Sequence, residues 1–358
     1  MSAARIERVR ELLGERGLAA LIVSGAANLR YLTGFTGTSG VALLNAAGEA
    51  RFLTDFRYQE QSALEVGALF ERDIVAGDPL GALAAQLEAG RVGFEDGTMT
   101  VSQLSQLRLH AAPTVELVPA EGLIEGLRAV KDEAEIELIA AAATLIDGIY
   151  EWLLERGFAG RSERDVAIEL EHEMRLRGAS SPSFDSIVVS GAQAALPHGQ
   201  PRPASIERGT LVTVDIGALV GGYCSDCTRT FAVGEPTAQA REVYEVVLAS
   251  QLAGLAALAP GRTGVEVDAQ ARAVIDAAGY GEYFGHGLGH GVGLEIHEAP
   301  RLSRQATDAP LVAGNVVTVE PGVYLPGRLG VRIEDLTVVT DAGCRRLSRF
   351  RKELMVVD

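Results

Sequence analysis

Two stretches decide the fold of the second half of the chain: residues 212–231, VTVDIGALVGGYCSDCTRTF, and residues 316–335, VVTVEPGVYLPGRLGVRIED. Each stretch joins two runs rich in β-branched residues through a short segment that contains glycine, and this pattern predicts a β-hairpin. Each also carries one carboxylate in either arm, namely Asp215 and Asp226 in the first, and Glu320 and Glu334 in the second. We therefore expect two hairpins with acidic side chains at matching positions.

The turn of the first hairpin determines whether Asp215 and Asp226 face each other. A tight turn centred between Val220 and Gly221 makes them direct cross-strand partners, with Cβ atoms about 4.5–5.5 Å apart on one face of the sheet. A turn centred on Gly221 and Gly222, or a β-bulge, would shift this pairing. We expect the direct pairing.

The second hairpin repeats the arrangement, because a three-residue loop centred on Gly327 sets Glu320 opposite Glu334. Like charges that face each other destabilise a sheet unless something compensates them. For a single pair, exposed hairpin acids would be the better interpretation. Two matching pairs, with a histidine-rich segment between them in the chain, indicate instead that divalent cations supply the compensation.

In residues 284–298, FGHGLGHGVGLEIHE, glycine alternates with larger residues from Phe284 to Leu294. In an extended chain all the side chains then lie on one face, and glycine in a strand usually marks the close approach of a ligand or another backbone. The alternation argues against a helix, so His286 and His290 are not a helical zinc pair. Carboxylates and one imidazole suit Mn, Co or Zn. The predicted ligands of a two-metal site are Asp215, Asp226, His290, Glu320 and Glu334.

With these residues identified, the chain resembles the pita-bread metallopeptidases, specifically the Xaa-Pro group of prolidases and aminopeptidase P. The resemblance rests on five blocks in family order: SFDSIVVSGAQAALPHGQP, VDIGALVGGYCSDCTRTF, GHGVGLEIHE, VEPGVY and GVRIED. In the first half, NLRYLTGFTGTSG and LTDFRY are similar to creatinase-type N-terminal domains. The implied fold is α+β, with a creatinase-like α/β domain over residues 1–126 and a pita-bread catalytic domain over residues 127–358.

The resemblance also implies how the metals are held and used. It assigns Asp215, Asp226 and Glu334 to one metal. It assigns Asp226, His290, Glu320 and Glu334 to the other, so Asp226 and Glu334 bridge the two ions. The nucleophile is then a metal-bridged water, with Glu320 as general base. Two divalent ions are expected, Mn first, with Co or Zn as alternatives.

Five further residues match positions that handle the substrate in this family. His198 and His297 match the histidines that stabilise the carbonyl oxygen and the tetrahedral intermediate. Arg332 matches an arginine that holds site carboxylates in place, and His286 matches a histidine that lines the proline pocket. Arg301, in HEAPRLS, resembles the arginine that prolidases place there, and a planar guanidinium suits a substrate carboxylate.

Arg301 makes an Xaa-Pro dipeptidase the preferred prediction, and the substrate a small proline-containing peptide. Aminopeptidase P, which acts on longer peptides, is the alternative. Three further alternatives stay open. Methionine aminopeptidase uses the same five ligands, a non-catalytic relative of the fold would have lost its metals, and creatinase works without metals. Relatives are often dimers in which one N-terminal domain helps close the partner's site, so we expect a homodimer.

Composition excludes several other classes of protein. A length of 358 residues fits two domains, and the net charge of −16 argues against nucleic acid or an anionic membrane as a partner. The N-terminal residues predict an amphipathic helix without a signal-peptide core, and residues 138–154 predict a buried helix. With three cysteines, we expect a cytoplasmic protein. Cys224 and Cys227 form a C-x-x-C, which we interpret as two small buried residues rather than a redox pair.

Overall fold

The computed structural model describes residues 3–358, in two compact units that meet between Arg128 and Ala129. Over its described residues the first unit alternates six strands with six α-helices. The strands are β1 (Ala20–Val23), β2 (Gly40–Asn45), β3 (Ala50–Asp55), β4 (Glu71–Val75), β5 (Gly90–Phe94) and β6 (Val115–Pro119). The helices are α1 (Ala3–Arg16), α2 (Ala26–Thr33), α3 (Gln59–Glu65), α4 (Pro79–Ala84), α5 (Val101–His110) and α6 (Leu123–Arg128).

The six strands form one mixed sheet in the order β4-β3-β2-β1-β5-β6. Strands β1, β2 and β3 are antiparallel neighbours, whereas β1 with β5, β5 with β6, and β3 with β4 run parallel. All four residues of β1 are buried, as expected for a central strand covered on both faces. Asp55 accepts a hydrogen bond from the backbone N–H of Arg57 and thereby caps the short 3₁₀ helix Phe56–Tyr58.

The second unit holds four α-helices and the remaining strands of the described chain. The helices are α7 (Glu133–Arg156), α8 (Glu163–Leu176), α9 (Ala238–Ala257) and α10 (Gly264–Ala277). The strands that carry candidate site residues or flank them are β8 (Ile187–Ser190), β9 (Thr210–Ile216), β10 (Ala218–Val220), β11 (Tyr223–Cys224), β12 (Cys227–Val233), β13 (Gly289–Gly291), β14 (Glu298–Leu302), β15 (Val316–Val319), β16 (Gly322–Leu325), β17 (Leu329–Arg332) and β18 (Asp335–Thr340). The other strands are β7 (Ser181–Pro182), β19 (Gly343–Arg346) and β20 (Val356–Val357), and two further 3₁₀ helices span Gly191–Ala195 and Gly281–Tyr283.

Each helix pair of this unit packs on its own group of strands. Side chains of α7 and α8, such as Ile149 and Leu170, form a core with β8, β9 and β12, whereas Val247 of α9 and Ala271 of α10 pack against β15, β16 and β17. Helix α7 is capped by Asp132 and contains the predicted buried helix. Among residues 3–358, no helix has the length and apolarity that crossing a membrane requires.

The turn of the first hairpin lies on Gly221 and Gly222, so the predicted direct pairing of the two aspartates is wrong. Both glycines have positive φ, +58° and +87°, and the two-residue turn pairs Val220 with Tyr223. Positive φ at both central residues is typical of the tight turn that matches strand twist. Compared with the prediction, the partner of each residue therefore lies two positions further along the opposite strand.

Because of this shift, Asp215 faces Thr228 across the hairpin. Asp226 precedes β12 by one residue, in a short interruption between β11 and β12. It is two positions from Thr228, so the alternation of side chains along an extended chain directs both residues to the same face. The two aspartates are diagonal neighbours rather than direct partners.

The second hairpin has the predicted register. Leu325 pairs with Leu329 across a three-residue loop centred on Gly327, whose φ is +71°. Gly322 pairs with Arg332 in β16 and β17, and Val319 pairs with Asp335 in β15 and β18, so both ladders share one register. Glu320 and Glu334 lie between the two ladders and face each other.

A buried ion network lies directly behind Glu334. The guanidinium of Arg229 is fully buried and donates to the backbone oxygen of Glu334 and, over 2.8 Å, to Asp335 Oδ1. Lys352 Nζ donates to Asp335 Oδ2 over 2.8 Å. Burial raises the pKa of Asp335, but the charges of Arg229 and Lys352 outweigh this effect and keep the pKa below its ordinary value.

Removing Asp335 would leave the Arg229 charge buried without its carboxylate partner, and breaking a buried ion pair costs about 3–5 kcal/mol. We expect Asp335→Ala to lower the free energy of unfolding of the second unit by this amount. Glu235→Ala removes an exposed pair with Arg241 and should change it by about 0–1 kcal/mol. Denaturant unfolding followed by the fluorescence of Trp152, the single tryptophan, measures both variants. Equal losses in the two variants would contradict the role assigned to Asp335.

Candidate metal centre

Three of the predicted metal ligands come together at the centre of the second unit. One carboxylate oxygen each of Asp215, Asp226 and Glu334 lies within 4.8 Å of the other two. Asp215 is in β9, Asp226 precedes β12, and Glu334 lies between β17 and β18. All three residues are buried, with 8%, 5% and 1% of their surface exposed. Two hairpins from distant parts of the sequence thus build one acidic cluster.

The other two predicted ligands border this cluster. His290 Nε2 lies 3.6 Å from Asp226 Oδ2 and 3.4 Å from Glu320 Oε1. The other ring nitrogen, Nδ1, is 3.0 Å from the backbone oxygen of Gly291, which fixes the orientation of the ring. A histidine that binds a metal commonly donates from its second nitrogen in this way. The structure therefore brings all five predicted ligands together.

The glycine run explains how His290 reaches this position. Only Gly289–Gly291 forms a strand, so the extended segment is shorter than predicted. A Cβ atom on Gly289 would collide with the backbone oxygen of Thr318, and one on Gly291 with that of Ala299. The expected close approach of backbone is therefore present at both glycines, and it lets β13 fit between its neighbours β14 and β15.

Crowding changes the titration of the acidic side chains. Burial raises the pKa of Asp226 well above its ordinary value, and the nearby carboxylates of Glu334 and Asp215 raise it further. Burial and the charges of Glu320 and Asp215 have the same effect on the pKa of Glu334, and burial raises the pKa of Glu320. Burial lowers the pKa of His290, which favours the neutral ring that binds metals. Ionising this cluster fully requires additional positive charge.

Two carboxylate oxygen atoms indicate whether cations suit the acidic cluster. Asp215 Oδ1 and Glu334 Oε1 are buried and accept no hydrogen bond from the described residues. The second oxygen of each residue is bound, since Arg332 donates to Asp215 Oδ2 over 2.6 Å and Thr228 donates to Glu334 Oε2 over 2.8 Å. Buried polar atoms are nearly always paired. Two unpaired carboxylate oxygens among such ligands fit divalent cations, which prefer oxygen and imidazole donors.

Arg332 occupies the predicted position beside the acidic cluster and connects several of its parts. Besides Asp215, it donates to Thr228 Oγ1 over 3.1 Å and to the Tyr324 hydroxyl over 2.9 Å. Tyr324 in turn lies 2.9 Å from His286 Nε2. Thr228 and Tyr324 were missed by the sequence reasoning. Correct placement of the Gly221-Gly222 turn would have identified Thr228, because it is the direct partner of Asp215, whereas nothing in the spacing pointed to Tyr324.

The remaining predicted residues surround the cluster at different depths. The ring of His297 meets that of His290 edge-on, with centroids 4.4 Å apart. His198 lies in the exposed segment after the 3₁₀ helix Gly191–Ala195. Arg301 is exposed and faces His290 across β13 and β14. Burial lowers the pKa of His297, and the charges of His290, His198 and Arg301 add to this effect.

A cavity of about 300 Å³ opens beside His286. Among the residues predicted to form the site, His286 alone lines this cavity, and the rest of the wall comes from two segments and α10. The lining residues are Arg272, Phe284, Gly285, His286, Gly287, Ser303, Arg304 and Gln305. Arg304 therefore borders a different space from Arg301, although only three positions separate them.

Cys224 and Cys227 are free cysteines, and both are buried, as the sequence interpretation expects. They belong to different hydrophobic clusters, as expected for residues an odd number of positions apart in extended chain. Burial raises the pKa of the Cys227 thiol well above its ordinary value. A thiol in this state is a poor nucleophile.

Comparison with known proteins identifies the family. The sequence pattern of metallopeptidase family M24 matches residues 137–341, and that of the creatinase/prolidase N-terminal domain matches residues 5–130. The chain belongs to metallopeptidase family M24. The predicted resemblance and fold are thereby confirmed: a creatinase-type N-terminal domain precedes an α+β pita-bread domain. The protein is a metallopeptidase, its family implies divalent metal ions, and the described residues include a buried acidic cluster.

Individual members of the family are similar to this chain over nearly its full length. The uncharacterized peptidase YqhT of Bacillus subtilis is 44% identical over 99% of this chain and 100% of its own. The solved structure of an Xaa-Pro dipeptidase from Bacillus anthracis is 43% identical, with a TM-score of 0.95 over 99% of both chains. That of an X-Pro aminopeptidase from Thermotoga maritima is 35% identical, with a TM-score of 0.89 over 98% of this chain and 100% of the other. Overall fold therefore does not separate the two activities.

The raised pKa of Glu334 predicts how the metal-free protein responds to pH. Between the ordinary pKa of a glutamate, about 4.3, and the raised folded value, the folded state binds more protons than the unfolded state. The contribution of this group to stability therefore falls as pH rises. A glutamine has no such dependence, so in the presence of a chelator Glu334→Gln should gain stability relative to the wild type as pH rises above about 4.3.

Denaturant unfolding at several pH values measures this difference, with Glu235→Gln as the control, since the side chain of Glu235 is 82% exposed. Parallel pH curves for wild type and Glu334→Gln would mean that Glu334 titrates normally. In excess Mn²⁺ the wild type should be more stable than Glu334→Gln, which lacks one predicted metal ligand. A ligand that binds only the folded state stabilises it.

Proposed function

We propose that this M24 enzyme is an Xaa-Pro dipeptidase, which hydrolyses the bond before proline in dipeptides. The observation that carries the proposal is the position of Arg301, an exposed arginine directly across from His290. In a dipeptide the free carboxylate belongs to the proline itself, so its receptor must lie close to the scissile bond. A planar arginine binds a carboxylate through two parallel hydrogen bonds. The name of the Bacillus anthracis relative supports the same activity.

The proposed metal ligands are the three residues of the acidic cluster together with His290 and Glu320, which border it. These residues would hold two ions, and Asp226 and Glu334 would contribute to both. When bound, divalent ions act as Lewis acids and lower the pKa of a bound water towards about 7. Mn is the metal that we propose, with Co or Zn as alternatives. The two unpaired oxygens of Asp215 and Glu334 support this assignment, because cations would complete their coordination.

In the proposed mechanism, Glu320 is the general base that accepts a proton from the attacking water and passes it to the leaving nitrogen. Its raised pKa supports this role, because a base works best when its pKa approaches the working pH. Thr318 donates to Glu320 Oε1 over 3.2 Å and limits the directions that this carboxylate can take. Arg332 holds Asp215 by a short ion pair.

His198 and His297 would stabilise the carbonyl oxygen and the tetrahedral intermediate. Both are exposed, so a bound peptide can reach their ring nitrogens. The lowered pKa of His297 keeps its ring neutral near pH 7, and a neutral imidazole can donate one hydrogen bond. His286 would line the pocket for proline, where its contact with the Tyr324 hydroxyl fixes the ring.

Several properties of the working enzyme stay predictions. We propose residues 1–126 as the N-terminal domain and residues 127–358 as the catalytic domain, assembled as a homodimer in the cytoplasm. The substrate is a small proline-containing peptide. The net charge of −16 disfavours nucleic acid and anionic membranes as partners.

Xaa-Pro aminopeptidase activity on longer peptides is the second candidate, and it is favoured by the whole-chain similarity to the Thermotoga maritima protein. The two candidates differ in the group on the carboxyl side of proline, which is a free carboxylate in a dipeptide and another residue in a longer peptide. Methionine aminopeptidase and a non-catalytic role are more remote, since the chain has the complete ligand set together with both histidines.

Hydrolysis of Ala-Pro and Ala-Pro-Ala by metal-stripped enzyme, before and after addition of Mn²⁺, tests the proposed activity. We expect cleavage of Ala-Pro only with metal, and little cleavage of Ala-Pro-Ala. Preference for the tripeptide would assign the enzyme to the aminopeptidases, and cleavage of Met-Ala-Ser would indicate a methionine aminopeptidase. Hydrolysis of none of these peptides by metal-loaded enzyme would contradict the whole assignment.

Replacing Arg301 by alanine tests the carboxylate receptor. A hydrogen bond to a charged group contributes about 1.5–3 kcal/mol, so KM for Ala-Pro should rise about ten- to hundredfold. Arg301→Lys should be intermediate because it keeps the charge but not the planar geometry. Ala-prolinamide lacks the carboxylate, so wild type and Arg301→Ala should cleave it equally. If Arg304→Ala shows these effects instead, the receptor lies at the cavity beside His286.

A further inference from the structure

One buried carboxylate, that of Glu163, holds both ends of the segment that carries His198. Its Oε1 accepts hydrogen bonds from the backbone N–H of Ser190 over 2.9 Å and from the Ser190 hydroxyl over 2.7 Å. Its Oε2 accepts from the backbone N–H of Arg202 over 3.0 Å, and the guanidinium of Arg202 donates to both oxygens. Residues 190 and 202 are thereby joined at the base of a loop that contains His198.

Glu163 is itself firmly fixed. It is the first residue of α8 after the Ser162 cap, a position where the helix dipole favours a negative charge. Its side chain has no exposed surface, whereas that of its partner Arg202 is 42% exposed. The backbone N–H of Glu163 donates to the oxygen of Ala204, and that of Arg164 to the oxygen of Arg202. The base of the loop therefore rests on a rigid helix end.

The loop has a second attachment near its tip. Arg332, which binds Asp215 in the acidic cluster, also donates to the backbone oxygen of Pro197 over 3.1 Å. His198 is the next residue and is exposed, so core packing does not hold it. Two polar attachments, Glu163 at the base and Arg332 near the tip, therefore act on the position of His198, in addition to the packing of Ala194 against β8.

We propose that Glu163 is a positioning residue for His198. Glu163 does not touch the substrate and affects the reaction only through His198. This inference rests on the proposed function, because it uses the role of His198 at the substrate carbonyl. Without the carboxylate, the Ser190 amide, the Ser190 hydroxyl and the Arg202 amide lose their common acceptor. Backbone bonds still hold Ser190 in β8 and Arg202 against the start of α8, but the direct link between the two residues is lost. The loop between them can then shift. A displacement of about 1 Å at a catalytic group lowers the rate about a hundredfold.

The test compares Glu163→Ala in the wild-type and His198→Ala backgrounds, using metal-loaded enzyme and Ala-Pro. In the wild-type background we expect kcat to fall about ten- to hundredfold with a smaller change in KM. In the His198→Ala background the same substitution should change kcat by less than about threefold, because residues that act through one another are not additive. Glu163→Gln keeps one acceptor oxygen and should be intermediate.

Two measurements that do not depend on activity accompany the kinetics. Hydrogen exchange at the amides of Ser190 and Arg202 should accelerate in Glu163→Ala, while Mn²⁺ affinity by calorimetry should stay within about threefold of wild type. Glu169→Ala is the matched control, since Glu169 lies on the same helix and pairs with Arg161 over 2.8 Å, away from the loop. It should leave activity, exchange and metal affinity unchanged.

Each result decides the matter in a different way. An equal loss of kcat in both backgrounds would overturn the inference, because Glu163 would then act on stability rather than through His198. Unchanged kcat in Glu163→Ala despite faster exchange would overturn it too. If wild-type enzyme with bound metal hydrolyses no Xaa-Pro peptide, the proposed function fails and this inference fails with it, an outcome visible before any variant is compared.

Discussion

The crowding of carboxylates in one buried space is the constraint on which the second unit depends. Asp215, Asp226 and Glu334 bring oxygen atoms within 4.8 Å of one another, where like charges and burial raise the pKa of Asp226 and Glu334. The protein supplies part of the compensating charge through Arg332, which pairs with Asp215. It leaves one oxygen of Asp215 and one of Glu334 without a described donor, and the divalent ions that the M24 family implies would complete the balance there.

The alternation of side chains along extended chain lets two charged layers share the same backbone. Thr228 and Glu334 meet on the side of the acidic cluster, while the next residues in each chain segment, Arg229 and Asp335, form a fully buried ion pair behind it. Arg229 also donates to the backbone oxygen of Glu334. The ion pair of Arg229 and Asp335 therefore fixes the backbone that carries Glu334. The repulsion among the clustered carboxylates acts against this anchored backbone.

The sequence predicted both hairpins, the five side chains that the structure brings together and the register of the second hairpin. It failed on the first register because two adjacent glycines allow alternative turns, and the choice between them depends on the φ angles that the strands impose. The close approach at Gly289 and Gly291 was readable from glycine alternation, since few other reasons place glycine in a strand. Glu163 was not predictable, because its partners Ser190 and Arg202 become neighbours only after α8 packs on the sheet.

The division between buried and exposed residues separates two tasks. The cluster and Arg332 lie within regular or nearly regular hairpins, where backbone hydrogen bonds define positions closely. His198, His297 and Arg301 are exposed in irregular segments or at strand edges, where substitutions disturb little of the core. Relatives named for dipeptidase and aminopeptidase activity can therefore keep one scaffold and one metal centre. Under the proposal that Arg301 receives the substrate carboxylate, the group accepted after proline would depend on one exposed side chain. A comparison of whole folds is insensitive to a single side chain of this kind.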